Sequence, residues 1–175
     1  MTKFVQDEYL YNMRRKIITI SLIIASIAIL QSCKKDKTEV DFDAVLYSEI
    51  TAGGYTYYQS GNLLSGASPS PHGSFKLRFN STALAALDST GELSAGSSFP
   101  AGSIIVKEIF SDSTINLYAV MKKDPSNVNA GSGWLWAEYR TDGSVVFTTV
   151  NKGNGCISCH SGTPNRDLVR TFDLH

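Results

Sequence analysis

The chain has 175 residues, 42% of them hydrophobic, and its 16 basic and 16 acidic residues cancel to no net charge. That length suits one domain, or a domain with an N-terminal appendage. Neutrality without a basic stripe argues against nucleic acid as a partner.

Three cations, Arg14, Arg15 and Lys16, precede an apolar stretch from Ile17 to Leu30, which ends in Leu30-Gln31-Ser32-Cys33. A charged region, an apolar region and a small residue before a cut read as an export signal. The apolar stretch is shorter than the roughly 20 residues that span a bilayer. The cysteine after Leu30-Gln31-Ser32 resembles the bacterial lipobox, which implies that Cys33 is the lipidated first residue of the mature chain. The alternative is an uncleaved anchor helix. Either reading exports the remainder, and the lipobox makes it a membrane-anchored lipoprotein on the periplasmic side or outer membrane. Met13 is a second candidate start, because Met1 to Asn12 precede a late charged region. The expected layout is a signal peptide over 1–32, a lipid-anchored tether over 33–40 and a folded domain over 41–175.

In the domain, Asp41 is a plausible N-cap for a helix with Phe42, Val45, Leu46 and Ile50 at helical spacing. The Gly-, Ser- and Pro-rich stretch Thr51 to Gly73 reads mostly as loop. "FKLRFN" alternates, with Phe75, Leu77 and Phe79 facing one way and Lys76 and Arg78 the other, as in a half-buried strand. A short helix follows from Asn80 or Ser81 towards Gly91. Four more strands are expected over Ser103 to Phe110, Ile115 to Met121, Trp134 to Arg140 and Ser144 to Val150. The turn signal "TDG" joins the last two. Consecutive strands with short links predict an antiparallel meander. The fold class is therefore α+β, mainly antiparallel sheet with a few short helices.

Once Cys33 is set aside, the remaining cysteines are Cys156 and Cys159 in "GCISCHS", with His160 next. Cys-x-x-Cys-His is the attachment signature of c-type haem. Two thiols on one turn reach the two vinyl-derived carbons of one porphyrin, and the next residue brings its imidazole to the iron. One covalent haem c near the C-terminus is expected, with Cys156 and Cys159 as thioethers and His160 as axial ligand. A disulfide or redox pair is one alternative. A zinc site completed by His72, His175 or a carboxylate is another. Fifteen residues follow His160 and none is methionine, so a sixth ligand must come from upstream, from Met121 or His72. Core packing for Met121 and a loop role for His72 are the plainer uses. A five-coordinate iron with an open distal face suits a small molecule better than pure electron transfer.

Four stretches occur in an order that resembles cytochrome P460 and its relative cytochrome c′-beta. They are "FPAGSIIVKEIF" (Phe99 to Phe110), "GSGWLWAEYR" (Gly131 to Arg140), "CISCH" and "NRDLVRTF" (Asn165 to Phe172). The resemblance implies a mainly antiparallel domain, often a homodimer, with a five-coordinate c-haem on a histidine matching His160. In one branch a lysine, matching Lys107, is bonded to a haem meso carbon and the enzyme oxidises hydroxylamine. In the c′-beta branch the bond is absent and the protein binds nitric oxide. Lys107 shares a strand face with Ile105 and Ile109, so it is either a buried, nucleophilic amine or a chain that snorkels to solvent. Glu108 points to the opposite face, and Glu138 shares the face of Trp134 and Trp136. Lys76 and Arg78 are candidate propionate partners or a solvated face, and Phe75, Phe79 and Phe110 candidate pocket walls or plain core. The expected function is oxidation of hydroxylamine- or nitric oxide-type nitrogen compounds, with electrons passed to an external acceptor. A gas-binding protein without turnover is the alternative, and a simple electron carrier is third.

Overall fold

Alternating apolar residues govern the architecture, because each strand that alternates can bury a face only against something else. The computed structural model describes Met13 and residues 40–175 apart from Pro69, Thr163 and Pro164. The expected signal peptide apart from Met13, the expected lipidation site Cys33 and most of the expected tether lie outside the described residues. Asp41–His175 forms a unit of its own.

Helix α1 (Phe42–Thr51) starts where the Asp41 carboxylate accepts from the backbone N–H groups of Asp43 and Ala44, both at 3.1 Å. Those donors have no partner within the helix, so the cap replaces lost hydrogen bonds. Six strands follow: β1 (Thr56–Tyr57), β2 (Phe75–Phe79), β3 (Ile104–Ser111), β4 (Thr114–Lys123), β5 (Trp134–Tyr139) and β6 (Val145–Phe147). They pair in chain order, all antiparallel, as one sheet. Short helices α2 (Ser81–Leu84), α3 (Ile157–His160) and α4 (Thr171–Leu174) complete the unit, with Asn80 capping α2. The fold is the expected α+β meander. The expected strand ends shift by a few residues, and Thr149–Asn151 turns as a 3₁₀ helix instead of extending β6. The short strand β1 and the turn Tyr58–Gly61 fall in the stretch read as loop.

Both faces of the sheet are covered. On one, α1 lays Leu46 and Ile50 over Ile104, Val106, Val120, Leu135, Ala137 and Tyr139. Val45, expected on the same apolar stripe, is exposed. On the other face Phe75, Leu77, Phe79, Ile105, Ile109, Met121, Trp134 and Trp136 pack under Val169 and Phe172 from the C-terminal segment. Burying each large apolar side chain contributes about 1.5–3 kcal/mol.

The two-sided cover corrects the half-buried reading of β2. Arg78 is buried at 8% exposure, and its Nε–H donates to Glu108 at 2.7 Å while an Nη1–H donates to the Ile50 carbonyl at 3.0 Å. Tyr57 donates to the same carboxylate. A buried ion pair persists only when its remaining polar atoms are also bonded.

Candidate functional site

Register builds the site. The Cα pairings Leu77–Lys107, Lys107–Ala119, Ala119–Glu138 and Glu138–Phe147 make one row across five strands. Neighbouring strands lie about 4.8 Å apart, so Lys107 and Glu138 stand about 10 Å apart with small Ala119 between them. A second row on this face runs Phe79–Ile105–Met121–Trp136. Above these rows a cavity of about 430 Å³ opens. That volume lies in the roughly 300–1,000 Å³ range of small-molecule and cofactor sites.

The opposite wall comes from the end of the chain. The backbone turns at Gly153, whose carbonyl accepts from Cys156 N–H at 2.9 Å and Ile157 N–H at 3.1 Å, and α3 begins there. This turn brings Cys156, Cys159 and His160 to the cavity wall together. Lys107, Glu138, His72, His175 and Arg170 line the same space. Both thiols are free, Cys156 partly buried and Cys159 exposed.

His160 is held on two sides. Its ring meets Trp136 edge-on at 5.0 Å and 80°. Its Nδ1 lies 2.7 Å from the Leu168 carbonyl oxygen. A carbonyl only accepts, so Nδ1 carries the proton and Nε2 keeps its lone pair, the tautomer a metal-ligating histidine needs. Burial lowers the pKa of His160, the Leu168 bond opposes this, and the charges of Lys107 and Arg170 reinforce it.

Burial also sets the other titrations. It lowers His72 to about 4, with help from the charges of Lys107 and His160, and it lowers His175 with help from Lys107. The imidazole of His72 is thus neutral at neutral pH. Burial pulls the Lys107 amine down to about 8. That amine is mostly buried, sits 4.2 Å from the Phe75 ring centroid, and has no salt bridge among the described residues. Burial raises Glu138 and, with the nearby charges of Glu138 and Cys159, raises Cys156.

These residues fit a haem. Two thiols and an imidazole of the right tautomer share one wall, a large apolar face lies opposite, and Arg170 supplies a cation. Among the described residues no group of three or more His, Cys, Asp or Glu is arranged to hold a metal ion, so the zinc alternative finds no ligand set there.

Of the residues singled out in the sequence, Lys107, Cys156, Cys159 and His160 come together, joined by the weighed candidates His72, Met121 and Glu138. Glu108, Arg78 and Lys76 do not line the cavity; the first two bond each other on the opposite face, and Lys76 lies over Phe110. Of the three phenylalanines weighed as walls, Phe75 lines it, Phe79 is core, and Phe110 does neither. Sequence reasoning placed neither Arg170 nor Phe147 at the site, and considered His175 only for zinc. Alternation within β6 hints at Phe147, but nothing local marks a C-terminal residue as cavity lining.

A search of curated proteins finds no match to the chain. The family model Cytochrome P460 matches residues 57–171, which takes in β2 to β6, most of the cavity lining and the Cys-x-x-Cys-His turn. The chain therefore belongs to the Cytochrome P460 family and is a haem-binding cytochrome.

Proposed function

We propose that this protein holds one haem c through thioether bonds to Cys156 and Cys159, with His160 as the iron ligand, and oxidises hydroxylamine- or nitric oxide-type nitrogen compounds. The observation that carries the reading is the burial of the Lys107 amine in the cavity that Cys156, Cys159 and His160 also line. A buried lysine with a lowered pKa is partly unprotonated near neutral pH and hence nucleophilic. That is the condition for a bond between Lys107 and the haem edge.

The haem, when bound, supplies the iron that takes the substrate and the path by which its electrons leave. The protein does the rest. His160 donates its Nε2 lone pair, and the Leu168 carbonyl keeps that nitrogen unprotonated. Glu138, with its pKa raised by burial, is placed to take a proton lost by substrate. Phe75, Leu77, Ile105, Trp136 and Phe147 exclude water from one side of the cavity. Electrons pass to an external acceptor. On this reading the chain is exported, carries lipid on Cys33 and sits on the membrane, and pairing as a homodimer accords with the resemblance.

A second reading, capture of nitric oxide without turnover, draws on the mostly apolar lining, which suits a small uncharged gas. Protein matured in a host that attaches c-type haem separates the two. A red-shifted ferrous Soret band that disappears in Lys107→Arg, with hydroxylamine turnover on an artificial acceptor, supports the first. An ordinary high-spin spectrum in both proteins and no turnover supports the second. Absence of attached haem refutes both.

A further inference from the structure

Asp167 and Leu168 hold positive φ angles of 52° and 71°. The Arg166 carbonyl accepts from the Val169 N–H at 3.0 Å and closes a four-residue turn over them. Positive φ at both central positions marks a type I′ turn, normally built from Gly, Asn or Asp. Asp167 suits such a turn, whereas a leucine at the second position is strained. Strain of this kind persists only where the surroundings over-determine it.

Asp167 supplies that restraint. One carboxylate oxygen accepts from the Phe99 N–H at 2.8 Å, Lys123 Nζ lies 2.7 and 2.8 Å from the two oxygens, and Trp134 Nε1–H reaches one at 3.3 Å. The side chains of Lys123 and Asp167 are only 12% and 10% exposed, so water competes weakly for the pair. Lys123 and Trp134 lie on β4 and β5, which ties the turn to the sheet. The turn presents the Leu168 carbonyl to His160 Nδ1.

We propose that Asp167 is a positioning residue for the iron ligand, holding the strained turn so that the Leu168 carbonyl keeps its hydrogen bond to His160. The proposal rests on His160 being that ligand. A hydrogen bond donated from Nδ1 makes the other ring nitrogen more basic and strengthens its bond to iron. Loosening the turn weakens this push, favours ferrous over ferric iron and raises the reduction potential.

The test uses haem-loaded protein in four forms: unaltered, Asp167→Asn, Asp167→Ala, and Asp167→Ala with Leu168→Gly. The iron–histidine stretching frequency and the reduction potential are measured. Asp167→Ala lowers the frequency and raises the potential. Asp167→Asn, which keeps an acceptor for Phe99 N–H but loses the charge, shifts both the same way by less. Leu168→Gly returns both towards the unaltered values, because glycine takes positive φ without strain. A variant with lowered Tm but unchanged frequency and potential overturns the proposal, as does a double variant that does not recover. If Asp167→Ala does not mature, Asp167→Asn decides alone. Failure of the underlying ligand assignment looks different: the iron–histidine band then survives His160→Ala.

Discussion

Gly153→Ala is the sharpest test of how the fold presents the Cys-x-x-Cys-His turn. Gly153 has φ +69, and a Cβ there would lie 2.5, 2.6 and 2.8 Å from Trp136 Cδ1, Nε1 and Cγ. Trp136 has no room to retreat. It is 3% exposed, its Nε1–H donates to the Gly131 carbonyl at 3.0 Å, and its ring packs on His160. Left-handed backbone costs a non-glycine residue about 1–2 kcal/mol, and overpacking a tight core adds about 1–3 kcal/mol. The expected loss is ~2–5 kcal/mol. Gly155→Ala is the control, since Gly155 has φ +91 but nothing within 4 Å of an added Cβ. It meets only the backbone penalty of about 1–2 kcal/mol. Urea unfolding of the haem-free domain, followed by midpoint at constant slope, measures both. Equal losses at the two positions, or a Gly153→Ala loss below ~1 kcal/mol, would refute the argument from Trp136.

Two further outcomes follow from the buried charges. The ordinary pKa of Lys107, 10.5, falls to about 8 in the folded chain, so between those values the unfolded chain holds a proton that the folded chain has released. The Lys107 contribution to the stability of the haem-free domain therefore rises as pH increases from about 8 to 10.5, and is least favourable below pH 8, where both states carry the proton. At about 1.4 kcal/mol per pH unit the gap amounts to ~3 kcal/mol. Lys107→Met should flatten this rise, and melting curves that keep the same pH slope would contradict it. Glu138→Gln removes one of the charges that raise the Cys156 thiol, although burial is the larger cause. The Cys156 pKa should then move down, and alkylation of the haem-free protein should speed up near neutral pH; an unchanged rate profile would place Glu138 too far away to matter.

Local chemistry is legible in the amino-acid sequence itself. Asp41 caps α1 because a carboxylate bonds free N–H groups wherever a helix begins, and the strands alternate because a pleat does. The same two-residue period puts Lys107 on the face of Ile105 and Ile109, opposite Glu108. The Cys156, Cys159 and His160 spacing is local as well, since one helical turn is enough to gather the three. Burial on the second face of β2 is not legible there, because the α1 helix that covers Arg78 contacts it only in the folded state.

Composition and period thus determined the antiparallel meander, which residues of a strand share a face, and the Cys-x-x-Cys-His triplet, all of which depend on neighbours a few positions apart. Tertiary structure decided what surrounds them. It set Glu138 in register with Lys107 across Ala119, and brought His72, His175 and Arg170 to one cavity. It also bent Asp167 and Leu168 into a turn that leucine does not favour. Each of these depends on strand pairing or on bonds between distant residues, and Asp167 with Lys123, Trp134 and Phe99 outweighs the local preference of the backbone.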